Sequence, residues 1–199
     1  MTKLTIDDIT DLRAYERERD EFRTRVIALK KRRRVHVGPV TTFVFENRDT
    51  IRFQIQEMAR VEKLISDDAI EGELRAYNPL IPEPGHLSAT LFVELVDEAQ
   101  LREWLPRLVG IESAAQLRIG SGDHAVVVRC TPDPDHEKLL TRDEITSAVH
   151  YVSWQLDAAQ IEAFTAAEVV TLELDHPQYQ HATELDPDAR AELLADLRG

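Results

Sequence analysis

Cysteine is almost missing, with Cys130 the one thiol in 199 residues. A lone thiol excludes an internal disulfide framework and any CxxC redox or zinc motif, and it cannot carry an iron–sulfur cluster. Glycine is scarce too. Its one closely spaced pair, Gly120-Ser121-Gly122, makes no GxGxxG or Walker loop, and no GxSxG elbow is present. No apolar run approaches the roughly 20 residues that cross a bilayer. The start, Met1 to Asp8, lacks the apolar centre of a signal peptide. Positive charge is in deficit: 24 Lys and Arg face 37 Asp and Glu, a net charge of -13. Such a surface suits neither a phosphate backbone nor anionic lipid. The expectation is a cytoplasmic protein that binds neither nucleic acid nor membrane. Hydrophobic residues make up 43% of the chain, enough for a sizeable core.

The charge is unevenly spread. Residues 1–34 carry 11 basic and 7 acidic side chains, a net of +4, which leaves -17 for the rest. The run Lys30-Lys31-Arg32-Arg33-Arg34 looks like a nucleic-acid patch, but it ends a helical pattern with apolar Leu12, Tyr15, Phe22, Val26 and Leu29. Cations in a last helical turn complement the helix dipole, so the run reads as a helix end or an intramolecular docking point.

Val35-His36-Val37 and Thr42-Phe43-Val44-Phe45 flank Gly38-Pro39 as two strands around a turn. A second helix follows Asn47 or Asp49 as cap and runs to about Ser66, and a third runs from there to Tyr77, where Asn78-Pro79 stops it. The loop around Pro82, Pro84 and Gly85 divides a helix-rich part, 1–85, from a strand-rich part, 86–199. The second part carries a weak repeat. Phe92–Val96 leads into Asp97-Glu98-Ala99-Gln100, and Val152–Leu156 leads into Asp157-Ala158-Ala159-Gln160. Each is a strand feeding a helix with an Asp cap and a Gln three residues on. Two strand-like runs follow each copy: 116–119 and 124–130, then 169–175 and 181–185. Asp186-Pro187 opens a final helix. The fold class is therefore α+β: a helical N-terminal half, then one antiparallel or mixed sheet with helices packed on it, for which the weak repeat suggests a duplicated β-α-β-β unit.

Polar groups on apolar faces mark the candidate site. Ile51, Ile55, Met58 and Ile65 fall at helical spacing, and Glu62 fills the missing place in that stripe, with Glu57 beside it. A buried carboxylate needs a cation, a metal or a proton. His150 shares a strand face with Ala148, Val152, Trp154 and Leu156, and His176 continues the face of Val170, Leu172 and Leu174. Asp175-His176-Pro177-Gln178-Tyr179-Gln180-His181 sets two imidazoles around a turn. Glu94, in a strand over 87–96, is a weaker case. Two or three His with a carboxylate suit iron, zinc or manganese, although no HExxH or paired ExxH spacing is present. The expected site is His150, His176, His181 and Glu62 as metal ligands, with Glu57 or Glu62 as ligand or catalytic base, converging beneath the second helix. Against it stands the ordinary fate of such residues, a core histidine bonded to a backbone carbonyl. Cys130, at the end of an apolar strand, reads as a small buried hydrophobe.

Several stretches carry a family resemblance: Lys31–Gly38, Phe45–Thr50, Gln56–Glu62, Tyr77–Pro82, Ala89–Glu94, Ser147–His150 and Asp175–His181. Together they resemble a bacterial family catalogued as domain of unknown function 3501. The similarity spans nearly the whole chain, which implies a single family unit over 1–199. It implies no reaction. It does imply association with rubrerythrin-like proteins and with iron–sulfur or flavin oxidoreductases. Three readings follow: a transition-metal protein serving a redox or oxidative-stress system, a non-catalytic accessory whose acidic surface docks a partner while its histidines are structural, and a metal-free acid–base pair of His150 or His176 with a Glu. Homo-oligomerisation is compatible with all three.

Overall fold

The structure, a computed structural model, describes residues 2–134 and 145–199. Helix α1, Leu12–Arg32, is capped by Asp11, whose carboxylate accepts the Arg13 and Ala14 N–H groups, and it buries Tyr15, Phe22 and Val26. Strands β1, Arg34–His36, and β2, Thr41–Phe45, form a hairpin. Asn47 caps α2, Arg48–Glu62, in a capping box with Thr50, and Ser66 caps α3, Asp67–Tyr77. Strand β3, His86–Val93, then leads through the Asp97 cap into α4, Glu98–Arg107. Next come β4, Ala115–Ile119, β5, Val126–Arg129, and the short β6, Thr131–Pro132. Strand β7, Val149–Gln155, leads through the Asp157 cap into α5, Ala158–Ala166. The hairpin of β8, Val170–His176, and β9, Tyr179–Glu184, precedes α6, Pro187–Arg198. Asp caps with Gln at the third helical position open both α4 and α5, the local device that marks the repeat.

The fold is α+β, but the strands divide into two antiparallel sheets where the sequence suggests one. The first sheet has the order β1-β2-β3-β7-β6 and the second β5-β4-β8-β9. The repeat explains the division. Equivalent strands of the two β-α-β-β runs lie side by side, β3 against β7 and β4 against β8, so exchanging the runs leaves the second sheet's order unchanged. The inner faces meet in one apolar core. Phe43, Phe45, Leu87, Leu91 and Trp154 contribute from the first sheet, and Leu117, Leu172 and Leu174 from the second. Leu108, at the C-cap of α4, joins them, and α5 and α6 add Phe164, Leu193 and Leu197. Helices α2 and α3 cover the outer face of the first sheet through a smaller cluster of Leu4, Ile51, Ile55, Leu74 and Ile81 around Tyr151. The second sheet's outer face is polar, with Arg118 and Gln116 both on Glu173.

The basic run serves the fold from within. Lys30, Lys31 and Arg32 occupy the last turn of α1, while Arg33 is 0% exposed. Its guanidinium donates to the carbonyls of Phe45 and Glu46 and to the carboxylates of Glu192 and Asp196, which ties the end of α1 to β2 and α6. Burial holds the Asp196 carboxyl above its ordinary value, against the opposing pull of Arg33. No helix among the described residues is long and apolar enough to cross a membrane.

Candidate functional site

The anticipated carboxylates lie outside the main core. Glu62 is exposed at the end of α2, and Ile65 is 87% exposed beyond it. The buried stripe of α2 runs Ile51, Ile55, Ala59, at steps of four, and so passes Glu62 by. Lys63 has φ +55° and closes the helix with its N–H on the Ala59 carbonyl, so Ile65 never joins the stripe. Glu94 likewise lies past the end of β3, where it accepts from Thr42 and pairs with Arg34.

Glu57 does have a specific setting. It accepts two hydrogen bonds from Arg19, at 2.8 and 2.9 Å, one of 2.8 Å from the Tyr15 hydroxyl, and two longer ones from Arg60. Arg19, with Tyr15 and Arg60, holds its carboxyl down at about 2 against the cost of its partial burial. Burial and the Glu57 carboxylate together push Tyr15 up. A carboxylate so bonded is a clamp between α1 and α2.

The three histidines occupy different places. His150 pairs in register with Leu91, so it faces the inter-sheet core, whereas α2 covers the opposite face of that sheet through Tyr151. Convergence of His150 with Glu57 or Glu62 is thus prevented by the sheet itself. His150 is 4% exposed. Its Nε2 lies 2.9 Å from both the Ser147 carbonyl and the Thr146 hydroxyl, which puts the ring proton on Nε2 because a carbonyl only accepts. Its Nδ1 lies 3.9 Å from Glu112 Oε2. His176 ends the inner face of β8 in the other sheet. Its Nε2 donates to the Val109 carbonyl at 3.0 Å and its Nδ1 accepts the Gln178 N–H at 3.2 Å. Both ring nitrogens are therefore occupied by the main chain. His181, two residues past Tyr179 on β9, packs its ring on that tyrosine at 4.4 Å. There it meets the β1–β2 turn. Gly38 has φ +74°, and a Cβ on it would come within 2.5 Å of both the His181 ring and the Tyr179 hydroxyl. That hydroxyl donates to the Val37 carbonyl and accepts the Val40 N–H.

Besides Asp196, two interior carboxylates among the described residues lie outside the apolar patterns of the sequence. Glu112 is 3% exposed in a short 3-10 turn before β4, and its Oε2 has no hydrogen-bond partner among the described residues. The Cys130 thiol donates to the Glu112 carbonyl at 3.2 Å, and burial pushes this thiol up to about 11, far from a thiolate nucleophile. Glu46, after β2, is buried between the hydroxyls of Thr50 and Thr90, at 2.5 and 2.6 Å. The flanking apolar residues Ile111, Ala114 and Phe45 were the available signal for both. Among the described residues no group of three or more His, Cys, Asp or Glu side chains is arranged to hold a metal ion.

A partly enclosed cleft of about 310 Å³, with many apolar residues in its wall, lies between the segment entering α1, the end of α2 and α3. Ile6, Ile9, Leu12, Leu64, Ile65 and Ile70 line it. Sequence periodicity could not find it, because its wall is assembled from three elements and the loop at Lys63.

No curated protein matches the chain. Among solved structures, the crystal structure of a novel protein of unknown function from Burkholderia pseudomallei K96243 is similar to it. The two share 41% identity at a TM-score of 0.88, over 98% of this chain and 100% of that one. The family described as "Protein of unknown function (DUF3501)" matches residues 3–197, and a match over so much of the chain means that this protein belongs to the DUF3501 family.

Proposed function

We propose that the protein is a non-catalytic accessory that binds a partner protein, its histidines serving the fold. The observation that carries this reading is His176, whose two ring nitrogens are both bonded to main-chain groups. Freeing either nitrogen for a metal or a substrate would orphan a main-chain partner. Glu57 is committed in the same way, to Arg19, Tyr15 and Arg60. What remains for recognition is surface, and the surface is acidic. The family resemblance supplies the candidate partners, a rubrerythrin-like protein or an iron–sulfur or flavin oxidoreductase. The test titrates the fluorescently labelled chain with such a purified partner at rising salt. Saturable binding that weakens with ionic strength is expected. Absence of binding up to high micromolar concentration defeats the reading.

A second reading has its own observation. Glu112 Oε2, buried and without a hydrogen bond among the described residues, lies 3.9 Å from His150 Nδ1. A carboxylate and an imidazole across such a gap suit a shared proton or two ligands of a divalent iron, zinc or manganese ion, which would act there as a Lewis acid. Elemental analysis of tag-free protein discriminates between the two: stoichiometric metal lost in His150→Ala and Glu112→Gln, but kept in His176→Ala, would establish this reading over the first.

A further inference from the structure

We propose that the cleft beside Ile65 is the docking site for a partner segment that presents an apolar side chain flanked by lysines or arginines. This deepens the accessory reading and rests on it.

The backbone puts Ile65 on display. Lys63, in the left-handed region, ends α2, and Ser66 caps α3 by accepting the Ala69 N–H. Two residues lie between these fixed points. Leu64 turns partly inward, its N–H on the Ala59 carbonyl, while Ile65 stands 87% exposed at the mouth of the cleft. The short span between two caps holds the isoleucine in place, so little conformational freedom is lost when a partner covers it. Six aliphatic side chains around one concavity, with no aromatic among them, form a hydrophobic receptor of the size of one or two large side chains.

The charge around the cleft selects the occupant. Asp11 and Asp67 are in its wall, with Arg13 the one cation there among the described residues. Asp68 continues the first turn of α3, and Glu62 stands one turn before Ile65. None of Glu62, Asp67 and Asp68 has a cation within 4 Å among the described residues, although ion pairs are common elsewhere on this surface. Glu73, also on α3, is pushed up by its partial burial and by the charge of Glu62. An apolar cavity beside carboxylates that have no cation partner among the described residues complements an amphipathic basic segment and repels an acidic one.

The experiment uses the whole chain and fluorescein-labelled amphipathic peptides, one built of leucine and lysine and its twin of leucine and glutamate. The expected result is saturable one-to-one binding of the lysine peptide, at least tenfold weaker for Ile65→Asp and unchanged for Val96→Asp, an equally exposed valine ahead of α4. Thermal melts of both variants should match the wild type. Equal weakening by the two substitutions, no effect of Ile65→Asp, equal binding of the glutamate peptide or no binding of either peptide overturns the assignment. Failure here stays separable from failure of the accessory reading. An oxidoreductase partner that binds wild type and Ile65→Asp alike keeps the accessory role and removes the cleft. Peptide binding at Ile65 with no oxidoreductase binding removes those partners and keeps the cleft.

Discussion

The two faces of the first sheet are held to their neighbours by different physics. On the inner face, Phe43, Phe45, Leu91 and Trp154 meet the second sheet as hydrocarbon. On the outer side, the apolar contacts under α2 and α3 are few. The attachment of α1 joins a small apolar cluster, Tyr15, Phe22 and Val26 against Phe53, to charged groups: Glu57 with Arg19, and Arg33 with Asp196 and Glu192, while Arg48 holds Asp8 in the segment before the helix. Hydrophobic burial scales with area and is indifferent to pH, whereas ion pairs depend on protonation and salt. The helical layer is therefore the part of the molecule that solution conditions can loosen.

Four substitutions test that contrast, the largest effect first. Trp154→Ala should cost about 3–5 kcal/mol of unfolding free energy, read from urea midpoints, since it removes the largest fully buried side chain from the inter-sheet core. A loss comparable to that of a surface substitution would mean that the sheets are not held there. Arg33→Met should cost about 3–5 kcal/mol as well, at the lower end, because it strands the buried Asp196 carboxylate. Combining it with Asp196→Leu should recover part of the loss, and a double variant no better than the single would deny that the pair is the cause. Glu57→Gln should cost about 1.5 kcal/mol at neutral pH through its charge-assisted bonds. The folded pKa of Glu57 is depressed, so its contribution is complete above the ordinary carboxylate value and drains away as pH falls towards about 2. The gap between wild type and Glu57→Gln in urea melts at pH 6, 4.5 and 3 should narrow on acidification, and a constant gap contradicts the clamp. Ile65→Asp should change stability by no more than about 0.5 kcal/mol, being exposed.

Where the sequence was legible, a local rule was at work. Asp97 and Asp157 announce their helices by capping chemistry, Pro187 sits at the first position of α6, and Gly38 marks the turn between β1 and β2. The repeat, read from a handful of residues, foretold which strands are equivalent. It could not foretell that like would pair with like across two sheets, because alternation assigns a strand its faces without saying what each face meets. That is why His150 was legible as an inward residue but its partner was not. Its neighbour Glu112 sits in a 3-10 turn that has no period to break. Glu62 differs from its expected place for a related reason. With no glycine at the end of α2, nothing in the sequence announces that Lys63 takes the left-handed conformation, and the apolar stripe reads on past the helix to Ile65.

The pairing of like strands also sets a timetable. The β8–β9 hairpin closes over two residues and can form within microseconds. The seams that join the two repeats pair Leu91 with His150 and Gln116 with Glu173, and each must close a loop of about 60 residues before any ladder repays the lost entropy. Refolding should therefore wait on the seam, in milliseconds to seconds rather than microseconds, and stopped-flow fluorescence of Trp154 would time it. Until that seam closes, the edges of β3 and β4 stay unpaired, and the newly made chain is at its most vulnerable to pairing with another copy of itself.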